Sequence, residues 1–400
     1  MHTDQNIPSV AIACGGTGGH LFPGLAVAEV LARGGCAVSL LVSQKEVDQQ
    51  VVGWAPGMEV VTLPAVGLAN GQIRAFLRGF WHSYQETKLR FHARPPQAVL
   101  AMGGFTSAPP VLAGRRLGAR TFLHESNSIP GRANRWLAPL VDSAFVGFPA
   151  AADRLRCQTL KATGTPVRPQ FRPMDAAASR VALGLEANRP VLLVMGGSQG
   201  ARAINQLISQ SLPLLSDRLP GLQFLHLSGA ADLDKVQAVY AAHEVKAVVR
   251  PFLTEMELAL AAATVAVSRA GASSLAELAA MRVPAVLIPY PSAADNHQFY
   301  NAWAFVESGA ARMLEQEKAA PETLAEMISG LMEKPGQNAA TKEALAKWHR
   351  PAAAAQIAGQ MLDLMARDGV RVAPLAKPDE PHASAPARPD PVQLQTANVA

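Results

Sequence analysis

Two stretches of the chain repeat one hydrophobic pattern. Residues 9–14 form an apolar run, Ser-Val-Ala-Ile-Ala-Cys, that breaks at Gly15-Gly16-Thr17-Gly18-Gly19-His20 and passes into an alanine- and leucine-rich helical stretch at 23–33. Residues 190–195, Pro-Val-Leu-Leu-Val-Met, break at Gly196-Gly197-Ser198-Gln199-Gly200-Ala201 and pass into a helical stretch at 202–212. A short apolar run, a glycine turn and a helix make the opening unit of a nucleotide-binding βαβ fold. Two such openings predict an α/β protein with two Rossmann-like domains. The runs at 37–42, 98–102 and 120–123 supply further strands to the first half, and those at 223–227, 247–249, 265–268 and 285–289 to the second. Most are unbroken rather than alternating, as expected of parallel strands buried on both faces.

The segment Thr163-Gly164-Thr165-Pro166-Val167-Arg168-Pro169 is dense in turn formers and reads as the connection between the halves. It divides the chain into an N-terminal domain at 1–166 and a C-terminal domain at 167–350. A last helix follows within 351–368, where Ile357, Met361 and Leu364 share one face. Beyond Gly369, six prolines from Pro374 to Pro391 stand among alanines and charges, so 369–400 is expected to be a disordered tail.

Composition adds a few limits. The 400 residues exceed one ordinary domain, and 49% hydrophobic against 17% charged residues supports large cores. A net charge of +5 favours anionic partners: a nucleotide phosphate, an acidic membrane surface or a nucleic acid. The basic residues are scattered and match no RNA- or DNA-binding module, which disfavours nucleic acid. Cys14, Cys36 and Cys157 are odd in number and lack CxxC spacing, so they read as reduced thiols. Residues 1–8 show no signal-peptide pattern, and no apolar run approaches the roughly 20 residues of a membrane helix. Any membrane contact is expected to be peripheral.

Candidate chemistry gathers at the strand ends. The first glycine loop lets a ligand approach the backbone and the N–H groups of the following helix. It equally fits a structural turn, but it lacks a clean GxGxxG and a following acidic ribose reader, which disfavours a nicotinamide cofactor. His20 opens that helix, where a neutral imidazole can serve as a base or merely cap and pack. In the second half, Ser268-Arg269-Ala270-Gly271-Ala272-Ser273-Ser274 turns from a strand into a helix, small enough to admit a diphosphate to the N–H groups of Ala272 to Ser274. Glu277, a turn further on, fits a ribose diol or an acid favoured by the helix dipole. Asp295-Asn296-His297-Gln298 then follows a strand end and suits sugar hydroxyls, as a solvated loop also would. Asp232-Leu233-Asp234 spells a metal-style DxD, but acids are favoured at a helix start anyway. Residues 72–90 read as an amphipathic helix with Ile73, Phe76, Leu77, Phe80 and Tyr84 on one face and Trp81 at its edge. Its basic residues suit an anionic interface, and packing on the sheet is the alternative.

Six ordered motifs resemble the MurG family of UDP-N-acetylglucosamine–N-acetylmuramyl-(pentapeptide) pyrophosphoryl-undecaprenol N-acetylglucosamine transferases. They are the Gly15–His20 loop, Met102-Gly103-Gly104-Phe105, His124-Glu125-Ser126-Asn127 with Pro130-Gly131, the Gly196–Ala201 loop, Arg269-Ala270-Gly271-Ala272 with Glu277, and Asp295-Asn296-His297-Gln298. The likeness runs from about Val10 to Arg367. It implies a GT-B glycosyltransferase fold with an interdomain cleft, acceptor and membrane on the N-terminal side and donor on the C-terminal side. It implies inverting transfer of N-acetylglucosamine from UDP-N-acetylglucosamine to the C4 hydroxyl of the muramyl sugar of lipid I, giving lipid II, with no cofactor and no metal. The place of work would be the cytoplasmic face of the plasma membrane. Carried over, Thr17, Gly18, Gly19, Asn127, Arg168, Ser198, Leu253 (by its backbone, to uracil), Ala272, Ser273, Ser274, Leu275, Ala276, Glu277 and Gln298 contact the donor. His20 is the expected base, with Glu125 as rival. Ser126, Thr165 and Ser274 depart from the usual glutamine, asparagine and threonine. A UDP-N-acetylglucosamine 2-epimerase or a catalytically silent UDP-sugar-binding subunit would share the architecture.

Overall fold

The computed structural model describes residues 7–44, 55, 57–65, 67, 73–197, 200–333 and 335–375. It has two all-parallel sheets. The first takes β1 (Ser9–Ala13), β2 (Ala37–Val42), β3 (Glu59–Thr62), β4 (Ala98–Ala101), β5 (Arg120–Glu125), β6 (Ser143–Val146) and β7 (Leu160–Ala162) in the order β3-β2-β1-β4-β5-β6-β7. The second takes β8 (Val191–Met195), β9 (Gln223–Leu227), β10 (Ala247–Arg250), β11 (Val265–Ser268), β12 (Ala285–Leu287) and β13 (Arg312–Met313) in the order β10-β9-β8-β11-β12-β13. Both orders reverse direction beside their first strand, between β1 and β4 and between β8 and β11. The carboxyl ends at such a reversal part to leave a crevice, and ligands bind there in open α/β sheets.

The unbroken apolar runs have the physical reason expected of them. Along β1, Val10 and Ile12 enter the core shared with α1 (Gly18–Arg33), while Ala11 and Ala13 enter a separate core on the opposite face. Each fully buried large aliphatic side chain contributes roughly 1.5–3 kcal/mol by leaving water. The helix after the first glycine loop starts at Gly18, earlier than its apolar pattern suggests, and carries Pro23 inside it.

On the opposite face lie α2 (Ile73–Ala93) and α3 (Ala108–Arg116). The buried positions of α2 are Gly79, Ser83, Thr87 and Phe91, so mostly small residues sit inward. Ile73, Leu77 and Trp81, each about one turn apart, are 61%, 58% and 58% exposed. Phe76, Phe80 and Tyr84 are half-buried beside them.

Further helices are α4 (Arg132–Leu137), α5 (Ala176–Ala182), α6 (Arg202–Arg218), α7 (Leu233–Ala242), α8 (Met256–Ala262), α9 (Ala272–Met281), α10 (His297–Glu307), α11 (Pro321–Glu333), α12 (Pro335–Trp348) and α13 (Ala353–Arg367). The last, α13, sits in the core of the first sheet, where Ile357, Met361 and Met365 pack with α1, and Leu364 is only partly buried. Arg120 of β5 pairs with Asp368 at 2.6 Å just beyond its end. The tail expected to be disordered from 369 is corrected at its start, because Val370, Val372 and Leu375 pack against the core shared by α1 and α13; residues 376–400 lie outside the described residues.

Candidate active site

The carboxyl ends of the two sheets face a single cavity of about 1520 Å³. Small-molecule sites typically hold 300–1,000 Å³, so this one has room for two substrates together. Thr17, Gly18, Gly19, His20, Asn127, Arg168, Leu253, Ala272, Ser273, Ser274, Glu277 and Gln298 all line it. Leu275 and Ala276 instead line a small second cavity on the far side of α9, against Phe148 and Trp348. Ser198 lies outside the described residues. Phe76, Leu77 and Phe80 border the main cavity, while Ile73 and Trp81 do not.

His20 stands in the first turn of α1, with its Nδ1 3.2 Å from the Thr17 hydroxyl. Its ring lies against the Gly103–Gly104 backbone. Both glycines hold positive φ, and a Cβ on either would come within 3.0 Å of an imidazole nitrogen. The Met-Gly-Gly-Phe motif is therefore a seat for this histidine.

Next to it, β5 ends in His124-Glu125-Ser126-Asn127. His124 is fully buried; its Nε2 is 3.1 Å from the Gly164 carbonyl and its Nδ1 3.3 Å from the Ser126 hydroxyl. Burial lowers its pKa to about 4, so it stays neutral at ordinary pH. The serine at 126 thus has a partner within its own motif. Glu125 is 2% exposed and does not border the cavity. Its Oε1 accepts from the Asn127 N–H (2.8 Å) and Asn127 Nδ2 (3.2 Å). Its Oε2 accepts from the Gly131 N–H (2.9 Å) and Asn134 Nδ2 (2.8 Å). Burial raises its pKa and these donors oppose the rise. The carboxylate works as the knot of the 125–134 segment.

Across the cleft, β11 passes through Ser268–Gly271 into α9, whose N-terminus opens on the cavity. Glu277 lies one turn in. Burial pushes its carboxyl up to about 7, the Arg168 charge opposes this and Glu257 adds to it. Among the described residues no hydrogen-bond donor holds Glu277. The Arg168 guanidinium lies over Phe22 at 4.9 Å and Phe171 at 5.2 Å, a cation–π stack that fixes the cation beside that carboxylate. Gln298 uses its carbonyl to accept from Ala270 N–H (3.2 Å) and Tyr290 N–H (3.0 Å), which leaves its amide N–H₂ as the free donor end.

Several contacts join the two walls. Pro23 has no N–H to offer the Gly19 carbonyl four residues earlier. The Ser273 hydroxyl of α9 donates to that carbonyl at 3.1 Å. Asp295 pairs with Arg135 at 2.6 Å and Arg132 at 3.8 Å, so the acid of the Asp-Asn-His-Gln segment ties one wall to the other. Fully buried Asn301 of α10 bonds to the loop at Asn127 and Ser128. Sequence reasoning missed Asn134, Arg135 and Asn301, whose partners lie far off along the chain or leave no local pattern. In the DxD stretch, Asp232 accepts from Asn205 Nδ2 at 2.9 Å and lies 3.7 Å from Arg202. No three His, Cys, Asp or Glu side chains converge in a metal-holding group among the described residues.

Comparison with known proteins identifies the lineage. The glycosyltransferase family 28 N-terminal domain matches residues 10–146, and its C-terminal domain matches 191–357. The UDP-N-acetylglucosamine–N-acetylmuramyl-(pentapeptide) pyrophosphoryl-undecaprenol N-acetylglucosamine transferase of Verminephrobacter eiseniae is 39% identical over 329 residues, covering 80% of this chain and 89% of its own. The chain belongs to the MurG family. The transferase of the same description from Sorangium cellulosum is 37% identical over 371 residues, covering 89% of this chain and 88% of its own. Crystalline MurG of Acinetobacter baumannii superposes with a TM-score of 0.69 at 28% identity, over 89% of this chain and 99% of that one. The two parallel sheets and the cleft between them are the GT-B fold of the MurG family. A putative UDP-N-acetylglucosamine 2-epimerase from Listeria monocytogenes, with a TM-score of 0.67 but 14% identity, covers 90% of this chain and 97% of its own and shares the fold alone.

Proposed function

We propose that this protein moves N-acetylglucosamine from UDP-N-acetylglucosamine to the C4 hydroxyl of the muramyl sugar in undecaprenyl-pyrophosphoryl-muramyl-pentapeptide, making lipid II for peptidoglycan. One observation carries the reading within the family: His20 and the α9 N-terminus with Glu277 line the same cavity from opposite walls. A nucleotide held by one wall presents its sugar to a base on the other.

The muramyl hydroxyl oxygen attacks C1 of the donor sugar, and the C1–O bond to the diphosphate breaks with its electron pair leaving on UDP. His20 takes the hydroxyl proton; general-base catalysis contributes roughly 10²–10⁴-fold. The Leu253 backbone meets the uracil and Glu277 accepts the ribose hydroxyls. The N–H groups of Ala272 to Ser274 and the Arg168 cation hold the departing diphosphate, a preorganised electrostatic site. Thr17, Gly18, Gly19 and Asn127 border the donor sugar, and the Gln298 amide donates to its hydroxyls. Glu125, tied by its hydrogen bonds, supports the loop.

No helix among the described residues is long and apolar enough to cross a membrane. The lipid acceptor is met instead by α2, lying peripherally on the cytoplasmic face. Exposed Ile73, Leu77 and Trp81 enter the interface, and exposed Arg74 and Arg78 meet acidic headgroups. Replacing Leu77 and Trp81 by serine should cut binding to anionic-lipid vesicles severalfold in a flotation assay while circular dichroism stays unchanged. Undiminished flotation would remove α2 from the membrane role.

The direct test is product analysis with labelled UDP-N-acetylglucosamine and a lipid I analogue, with and without EDTA. A labelled disaccharide-lipid formed equally in both is expected. Free N-acetylmannosamine with no lipid product would replace the proposal with epimerase chemistry.

A further inference from the structure

Asn301 is 0% exposed, yet most of its hydrogen bonds leave the C-terminal half of the chain. Its Oδ1 accepts from the Ser128 N–H at 2.9 Å and the Ser128 hydroxyl at 3.0 Å. Its Nδ2 donates to Asn127 Oδ1 at 3.0 Å and to the Ala270 carbonyl at 3.1 Å. That is the full capacity of a primary amide, two bonds accepted and two donated. Three of the four bonds reach the loop after β5, and the fourth holds the turn that opens α9.

The chain of contacts continues at both ends. Asn127 passes from Asn301 to Glu125 through its own Nδ2, and Glu125 passes to Gly131 and Asn134. On the other side Ala270 is gripped twice from α10, at its N–H by Gln298 and at its carbonyl by Asn301. A buried polar relay therefore runs from the diphosphate turn to the segment that frames the acceptor wall. An asparagine needed only to fold the donor half would have partners within that half. A hydrogen bond within the protein is modestly favoured over the same groups bonded to water, so the bonds to Asn127 and Ser128 favour the closed arrangement over an open one.

We propose, building on the transferase reading, that Asn301 is a positioning residue that keys the donor turn to the 125–134 loop, so that the loop takes its reactive arrangement when the domains close on the donor. Asn301 touches neither reacting centre in this role. It acts through Asn127 and Ala270.

The test compares the full-length wild type with Asn301→Ala and the near-isosteric Asn301→Asp, which loses both N–H donors. Four quantities are measured: the Kd for UDP by calorimetry, the thermal unfolding midpoint, kcat with UDP-N-acetylglucosamine and a lipid I analogue, and the radius of gyration at saturating UDP-N-acetylglucosamine by X-ray scattering. Both variants should bind UDP within about threefold of wild type and lose roughly 10–100-fold in kcat, since Asn301→Ala removes all three bonds to the loop and Asn301→Asp removes the donated bond to Asn127. Their donor-bound radius should exceed that of wild type. A parallel loss of UDP affinity and thermal stability would make Asn301 a folding residue and overturn the proposal. Unchanged kcat with an unchanged radius would overturn it as well. A wild type that closes on the donor but makes no lipid product would defeat the transferase reading, while the scattering difference would still judge the relay.

Discussion

Two glutamates near the cleft share one perturbation and differ in everything else. Burial raises the pKa of both Glu125 and Glu277. Glu125 meets this with donors on both oxygens from Asn127, Gly131 and Asn134. Glu277 has only the field of Arg168 to oppose its burial, and it lines the cavity. A carboxylate saturated by its own chain builds structure. One desolvated and left open is prepared for donors that arrive with a ligand. On the proposed reading, the same residue type at the end of β5 and within α9 is divided between architecture and binding by where its hydrogen bonds come from.

The largest expected effect tests whether Glu125 is needed as a base at all. His20→Ala should lower kcat about 10²–10⁴-fold in steady-state assays, with donor Kd nearly unchanged. Retained turnover would return proton transfer to Glu125 and erase the contrast.

Glu277→Gln comes next. Loss of a charged acceptor for the ribose should weaken UDP-N-acetylglucosamine roughly 10–100-fold by calorimetry. In wild type the affinity should fall as pH drops below about 7, because the carboxyl protonates there, and the variant should be flat. Ligand-free stability runs the other way. A raised folded-state pKa means that ionisation opposes folding, absent below the ordinary 4.5 and complete above about 7. Glu277→Gln should therefore stabilise the free protein above neutrality by on the order of 1–3 kcal/mol and leave it unchanged in acid, as followed by urea titration.

The smallest effect belongs to Glu125→Gln. Its amide faces donors that need an acceptor, so stability should fall by about 1–3 kcal/mol with UDP affinity intact. A Glu125→Gln protein of normal stability that no longer turns over would make that carboxylate chemical rather than structural.

The sequence was most legible where a pattern is local. The β1 and β8 runs with their glycine turns need only neighbouring residues to be read, and the paired domains follow from them. Short strands were harder. In β3, Glu59-Val60-Val61-Thr62 lies at a sheet edge with polar ends, and β13 is only Arg312-Met313. Leu275 and Ala276 entered the donor set as part of a contiguous stretch, whereas helical geometry turns them to the far side of α9. The Asn301 relay and the Arg135–Asp295 pair join residues 173 or 174 and 160 positions apart, which no periodicity encodes. Asp295 lines the cavity, as its segment suggested, but its pairing with an arginine from the other wall had no local signal.

Pro23 gives the molecule a property beyond helix geometry. The oxygen it leaves open at Gly19 is taken by Ser273 from the donor wall. When the domains part, that oxygen has no backbone donor to fall back on and must find water. Its hydration therefore reports the state of the cleft, so the Gly19 carbonyl is a natural place for an isotope-edited infrared label that reads opening and closing without disturbing either substrate.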